Sequence, residues 1–441
     1  MKKILVALFF LVQSAGYLVA QTPQGTPEVK YRRSSLHTMI VESENFPRKD
    51  IVMNAFFEAP FPDKYNEHNI GDKSFDPTYY PLTADEKKGL KMKAGEVLGL
   101  IGAVASGVKT DTSTLSVELP IRIQKYLNRN KIAGKMVAKW FNRQPDGTFD
   151  MSLISTRGLY NATEMEANIA KGSARGTSSL SDAGIELIGN TFLVVDRFNF
   201  VNNEVIAAIT RDAAKLAAQS IPNALLQQVA YTAADVAYNK AKDGYSVWAT
   251  SYLYKLVWND STEAVFYNDL WMDKTNADPK KKENFDDTDL FKLQYVGTEK
   301  ATGLVLFTSS KNTEEQIIKT ATIRTIDAVY AKLQKKYDVF MPKTALYTGF
   351  PITAKIGKKE GLDGGEKFEV FEQTIDPQTG LTKYVSKGKI TVDKSQIWDN
   401  RYNATDTTAV SADPNPKTVI DRTTFKGGKD YYSGMLIKQV K

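Results

Sequence analysis

The sequence predicts a mixed-sheet α/β (α+β) domain followed by a small C-terminal β-barrel, and three observations carry that prediction. Thr191 to Phe200 is a continuous apolar strand pattern, of the kind that runs through the centre of a sheet covered on both faces. From Asn312, with Glu315 three residues on as a capping-box start, apolar residues follow at Ile323, Ile326, Tyr330, Leu333 and Tyr337; this stripe needs a sheet to lie on. Past Pro342, which stops that helix, short alternating segments such as Phe368 and Val370 among Glu366, Lys367 and Glu369 are punctuated by Gly361, Gly364 and Gly365, the spacing of a small closed or nearly closed barrel over residues 343–441.

The chain of 441 residues, 42% hydrophobic, is long enough for two or three packed domains. Residues 1–20 read as a secretory signal peptide: Lys2 and Lys3, the apolar run Ile4 to Val12, then small residues, with cleavage expected after Ala20 or, alternatively, after Gly16. The apolar run is too short for a spanning helix, so the expected location is outside the cytoplasm: periplasm, outer-membrane periphery or extracellular space. With no cysteine there is no disulfide, no thiol catalysis and no lipid-modified cysteine. The net charge of +7, or +5 without Lys2 and Lys3, is spread among interspersed opposite charges and makes nucleic acid an unexpected partner.

Residues 21–84 are rich in aromatics and proline (Phe46-Pro47, Pro60-Phe61-Pro62, Tyr79-Tyr80-Pro81) and predict an extended arm that wraps the body or docks on a partner. Residues 85–342 form the expected α/β domain. Within it Gly95, Gly99, Ala103 and Gly107 recur every four residues among aliphatics, the pattern of a close helix crossing, a self-association surface or a membrane-inserting segment. Val137 to Phe141 reads as a strand, Asp146-Gly147 as a turn and Thr163 to Ile188 as helical. Asn203 caps an Ala-rich helix kinked at Pro222, Tyr245 to Trp258 with Ala264 to Trp271 reads as a hairpin, and Leu290 to Tyr295 and Gly303 to Thr308 read as further strands.

Reactive groups are sparse. His37 and His68 are the only histidines, too few for an imidazole metal site, and no Gly-x-Ser-x-Gly elbow is present. Ser386-Lys-Gly-Lys389 has the Ser-x-x-Lys spacing but lies in a strand pattern, where residues three apart face opposite sides. Gly172 to Gly176 with Arg175 offers a small anion-binding turn without the lysine of a P-loop. Asp286, Asp287 and Asp289 lack calcium-loop spacing. No metal or cofactor is therefore expected.

The run Ile356 to Phe371, Ile-Gly-Lys-Lys-Glu-Gly-Leu-Asp-Gly-Gly-Glu-Lys-Phe-Glu-Val-Phe, resembles the C-terminal barrel module of the flagellar T-ring protein and related exported envelope proteins. The words Tyr31 to Leu36, Pro62 to Asn69, Val137 to Arg143 and Ile185 to Phe192 resemble a family of uncharacterised exported bacterial proteins. The element order around Val194-Val195-Asp196-Arg197 is similar to the domain shared by the curli-secretion channel and lipoprotein activators of penicillin-binding proteins. These resemblances imply a non-enzymatic envelope scaffold or adaptor that binds an envelope protein, with homo-oligomerisation and peripheral membrane association open to it. Gly95, Gly99, Ala103, Gly107, Arg175 and Arg197 are its candidate contact residues. The alternative is a carbohydrate-active enzyme or glycan-binding protein, for which export and 11% aromatic residues are the motivation.

Overall fold

The computed structural model describes residues 31–42, 46–88, 111–160, 186–242, 244–306, 313–376, 382–404, 420–428 and 430–440. The expected signal peptide, the Gly95 to Gly107 stripe, the Gly172 to Gly176 turn and most of the Thr163 to Ile188 helix lie outside the described residues.

The first sheet has the order β2-β1-β4-β5-β6, with β3 also on β1. Its strands are β1 (Ser35–Val41), β2 (Asn66–Glu67), β3 (Ser74–Phe75), β4 (Thr191–Asn202), β5 (Gly244–Leu256) and β6 (Leu293–Leu306). β2, β3 and β4 run parallel to β1, whereas β4–β5 and β5–β6 are antiparallel, so the sheet is mixed as expected. The stretch expected as an extended arm instead supplies three of these strands and the helix α1 (Lys49–Glu58). Its aromatics are buried through that integration, Tyr65 being 1% exposed and Phe75 5%.

β4 is central and covered on both faces, with Phe192, Leu193, Val194 and Val195 all 0% exposed. Strand alternation sends Leu193 and Val195 to one side. There they meet α3 (Asp111–Arg129) and α4 (Ile132–Trp140) through Leu119, Ile123, Met136 and Trp140. Phe192, Val194 and Phe198 meet α1 and the long helix α10 (Glu314–Lys336) on the other side. Between these lie α5 (Ser152–Tyr160), α6 (Asn203–Ala218), α7 (Ala224–Ala241), α8 (Asp260–Val265) and α9 (Pro279–Asp287), preceded by the short α2 (Ala84–Lys88).

Several elements differ from expectation. Val137 to Phe141 belongs to the helix α4 and its C-cap, because Ile132, Met136 and Trp140 set a helical stripe that a five-residue window hides. Ala264 to Trp271 is not a hairpin limb: α8 starts at the Asn259 cap, whose side chain accepts from Thr262 N at 2.9 Å, and passes into a π turn, Phe266–Leu270. The partner of β5 is β6, one strand where two short ones were expected. The kink at Pro222 is a complete break between α6 and α7.

The cap of α10 is Thr313, one residue beyond the expected Asn312. Its hydroxyl accepts from Gln316 N at 3.3 Å while Gln316 Oε1 accepts from Thr313 N at 3.0 Å. Ile323, Ile326, Tyr330 and Leu333 are buried as the stripe requires. The helix sits so close to β6 that a Cβ at Gly303 would lie 2.0 Å from Thr325 Oγ1 and 2.9 Å from the Ala321 carbonyl, so only glycine fits. A buried polar network pins the same contact: Asp196 accepts from Tyr330 OH at 3.0 Å and from Ser251 Oγ. Below it Tyr65 OH donates to the Phe340 carbonyl at 2.6 Å and accepts from Gln334 Nε2 at 3.1 Å.

The C-terminal sheet runs β7-β13-β10-β11-β12-β9-β8, antiparallel at every pairing. Its strands are β7 (Thr344–Ala345), β8 (Thr348–Gly349), β9 (Ile352–Ala354), β10 (Lys367–Ile375), β11 (Thr382–Val392), β12 (Thr423–Gly427) and β13 (Leu436–Val440). It curls around Phe368, Val370, Ile390, Phe425 and Ile437. The expected barrel is not closed: the terminal strands β7 and β8 are two residues each and do not pair with one another. α10 joins the two sheets, Arg324 Nε and Nη2 donating to the Tyr402 and Asn403 carbonyls at 2.8 and 2.9 Å and Ala331 Cβ lying against Gly361.

Burial pushes the Asp196 carboxyl up to about 7, against about 3.9 in the unfolded chain. The folded protein therefore keeps a proton that the unfolded chain releases, and this contribution to stability is full below pH 4 or so and is lost as the pH rises through 7. Urea denaturation of wild type and Asp196→Asn at about pH 5 and about pH 8 should show the wild type losing roughly 2 kcal/mol relative to the variant on going to the higher pH. A difference independent of pH would show that Asp196 is ionised in the fold.

Candidate interaction surface

The two histidines are structural. His68 donates from Nε2 to the Met136 carbonyl at 2.9 Å and accepts on Nδ1 from Arg157 Nη1 at 2.9 Å, its ring stacked 4.9 Å from Trp140. Burial and the neighbouring Arg157 push its pKa well below the usual imidazole range. His37 donates from Nδ1 to Asn69 Oδ1 at 3.0 Å, and burial lowers its pKa to about 4. Both are neutral in the fold; their contribution to stability is present above about pH 6.5 and, for His37, is lost as the pH falls towards 4. Neither lines the open cleft beside Phe149.

An open cleft of about 830 Å³ is lined by Asp146, Asp150 and Asp273 beside Phe149 and Lys274. Each carboxylate is engaged in its own turn. Asp146 accepts from Thr148 N at 2.9 Å, Asp150 from Ser152 N at 2.9 Å and Asp273 from Thr275 N at 2.8 Å. Those bonds hold all three below the usual carboxylate range, so the cleft offers charge but no protonated acid for glycoside cleavage. Among the described residues no group of three or more His, Asp or Glu side chains is placed to hold a metal ion. Ser386 donates to Glu369 Oε1 at 2.5 Å across the strand pair and does not engage Lys389.

The feature that stands apart is the α6–α7 hairpin. β4 and β5 stay paired as far as Asn202 opposite Tyr245, and the chain between them rises off the sheet as two antiparallel helices. At the root Ser246 Oγ donates to Asn203 Oδ1 at 2.6 Å, a buried tie between the hairpin and β5. At the tip Pro222 ends the first helix and Asn223 starts the second, its Oδ1 accepting from Leu225 N and Leu226 N at 2.9 and 3.1 Å. The seam is thin: Ala207, Ala214, Ala234, Ala237 and Ala241 line a residual cavity of about 170 Å³.

The two sides of the hairpin differ in charge. Lys215 meets Asp235 at 2.6 Å and the Arg211 guanidinium lies 4.5 Å from the Tyr238 ring centre, both crossing the seam on one side. At 100° per residue the opposite side is floored by Ala213, Ala217, Leu226, Val229 and Ala233. Ile209 and Leu216 form one edge, Leu225 and Val236 the other. These apolar side chains are open to solvent: Leu225 is 75% exposed, Leu216 66%, Val229 59% and Leu226 57%. A contiguous exposed apolar face of this kind is a candidate interaction surface, whereas scattered exposed leucines would not be.

Of the residues singled out from the sequence, Gly95, Gly99, Ala103, Gly107 and Arg175 lie outside the described residues. Arg197 is in β4, 7% exposed, on the sheet face opposite Asp196. Sequence reasoning took the Ala-rich segment as a plain helix and missed its exposed side. What the sequence does show is the absence of charge: from Leu216 to Ala234 nineteen residues pass without one in a chain that is 25% charged.

No helix among the described residues is long and apolar enough to cross a membrane. No protein-family model matches the chain, and no curated protein is significantly similar to it.

An exposed apolar face binds apolar dyes in the native state. Anilinonaphthalene sulfonate fluorescence should rise with the native protein and fall severalfold in the double variant Leu226→Lys, Val229→Glu, while its unfolding free energy stays within about 0.5 kcal/mol of wild type. Equal dye binding in both proteins would place the apolar surface elsewhere.

Proposed function

We propose that this chain is an exported, non-enzymatic scaffold of the cell envelope that works by protein–protein contact, with the uncharged side of the α6–α7 hairpin as its contact surface. The observation that carries the proposal is that side itself. Leu216, Leu225, Leu226 and Val229 are each more than half exposed on a limb tied to the central strands at its root. Keeping such a face in water forgoes about 25 cal/mol for every Å² left uncovered, which a partner recovers. The secretory pattern of residues 1–20 and the envelope resemblances of the sequence support the location.

The structure also bears on the glycan alternative. The acidic cleft has its carboxylates ionised and committed to turns, and the aromatics Phe141, Phe149, Phe266 and Trp271 pack on one another within the protein core. Contact through the hairpin is the reading these observations favour.

A photoreactive residue placed at Leu226 in the protein expressed in its own cells tests this. Irradiated envelopes should yield a discrete protein crosslink from position 226 and none from Asn239 on the charged side. Absence of any crosslink from position 226 in natively folded protein would remove the hairpin as the contact surface.

A further inference from the structure

We propose that the partner seated on the hairpin is a second copy of this chain, the two hairpins closing into an antiparallel four-helix bundle. This rests on the hairpin being the contact surface and names what fills it.

Charge is the first argument. In a two-fold pair the same patch meets itself, so any net charge on it repels its copy. The stretch Leu216 to Ala234 carries none, and Lys215 and Asp235 at its ends are already paired with each other on the far side. Lys240, near the root, lies on the same side, in line with Val229 and Ala233, and is its one charge on α7. In an antiparallel pair it falls beside the other copy's tip, where the last carbonyls of α6 present the negative end of a helix dipole. The bodies then stand at opposite ends of the bundle and do not clash.

Shape is the second. Alanines at 213, 217 and 233 let backbones approach closely, and the flanking Leu225, Leu226 and Val229 interdigitate across the pair. The face is about 25 Å long and two helices wide, on the order of 1,000 Å² buried over two copies, at the low end of specific interfaces. A lipid surface fits less well. Gln219, Ser220 and Asn223 occupy the tip and Gln227 and Gln228 follow, and each polar group entering hydrocarbon must be desolvated.

Sedimentation of the purified protein tests the pairing. An interface of this size predicts a dimer at about 100 µM that dissociates towards about 1 µM. Ala233→Glu and, separately, Val229→Lys should each weaken it at least about tenfold, with helix content by circular dichroism unchanged. Because the chain has no cysteine, Ala233→Cys gives a single thiol near the middle of α7. A short bis-maleimide should join two such chains and fail to join chains carrying Asn239→Cys. A monomer at all concentrations, or a dimer indifferent to both variants, overturns the proposal. If position 226 crosslinks to a different protein while the chain stays monomeric, the scaffold function stands and the self-pairing falls.

Discussion

The structure depends on one buried carboxyl being satisfied. β4 runs through the middle of the first sheet with both faces covered, and Asp196 is its single acidic residue, 0% exposed. Burying an unpaired polar group there would cost several kcal/mol, so Ser251 on the neighbouring strand and Tyr330 on α10 must both reach it. Satisfying Asp196 thereby sets the register of β5 against β4 and the position of α10 along the sheet. Gly303 then lets the helix settle onto β6, and α10 carries the C-terminal sheet on its outer side through Arg324 and through Asp327, which meets Lys359 at 3.8 Å.

A hairpin placed between β4 and β5 is anchored at its root by that core without contributing to it. Strand pairing persists to the last residue before α6, so the limb leaves and re-enters the sheet at adjacent positions. Its inner seam is alanine, which buries little area and leaves a residual cavity, and its charged side is stabilised by Lys215–Asp235 and Arg211–Tyr238. The other side is exposed, and is the one proposed for contact. The device separates two requirements: a core that is satisfied internally, and a face that is not.

How much of this was legible in the sequence follows from the range of the interactions involved. The Thr191 strand and the α10 stripe are local patterns with strong periodicity, which place both elements to within a residue or two. Val137 to Phe141 and Ala264 to Trp271 are short and aromatic or β-branched, and their helical state is decided by packing around Trp140 and Phe266 rather than by propensity. Barrel closure depends on whether two chain-distant strands meet. β7 and β8 are too short to do so, and nothing local announces it. On the exposed side of the hairpin the absence of charge is readable from Leu216 to Ala234, but the exposure is not, since an Ala-rich apolar helix is as easily a core helix. His37 and His68, too few for a metal site by sequence, are used by the fold to satisfy its own interior.

The central claim, that the hairpin is a limb whose apolar side is uncovered in the isolated chain, is tested most directly by amide hydrogen exchange in dilute solution. The account predicts that amides of α6 and α7 exchange orders of magnitude faster than those of β4 and β5, because the limb opens without unfolding the sheet. Protection of Asn203–Ala218 and Ala224–Ala241 equal to that of the central strands at the same dilution would contradict it.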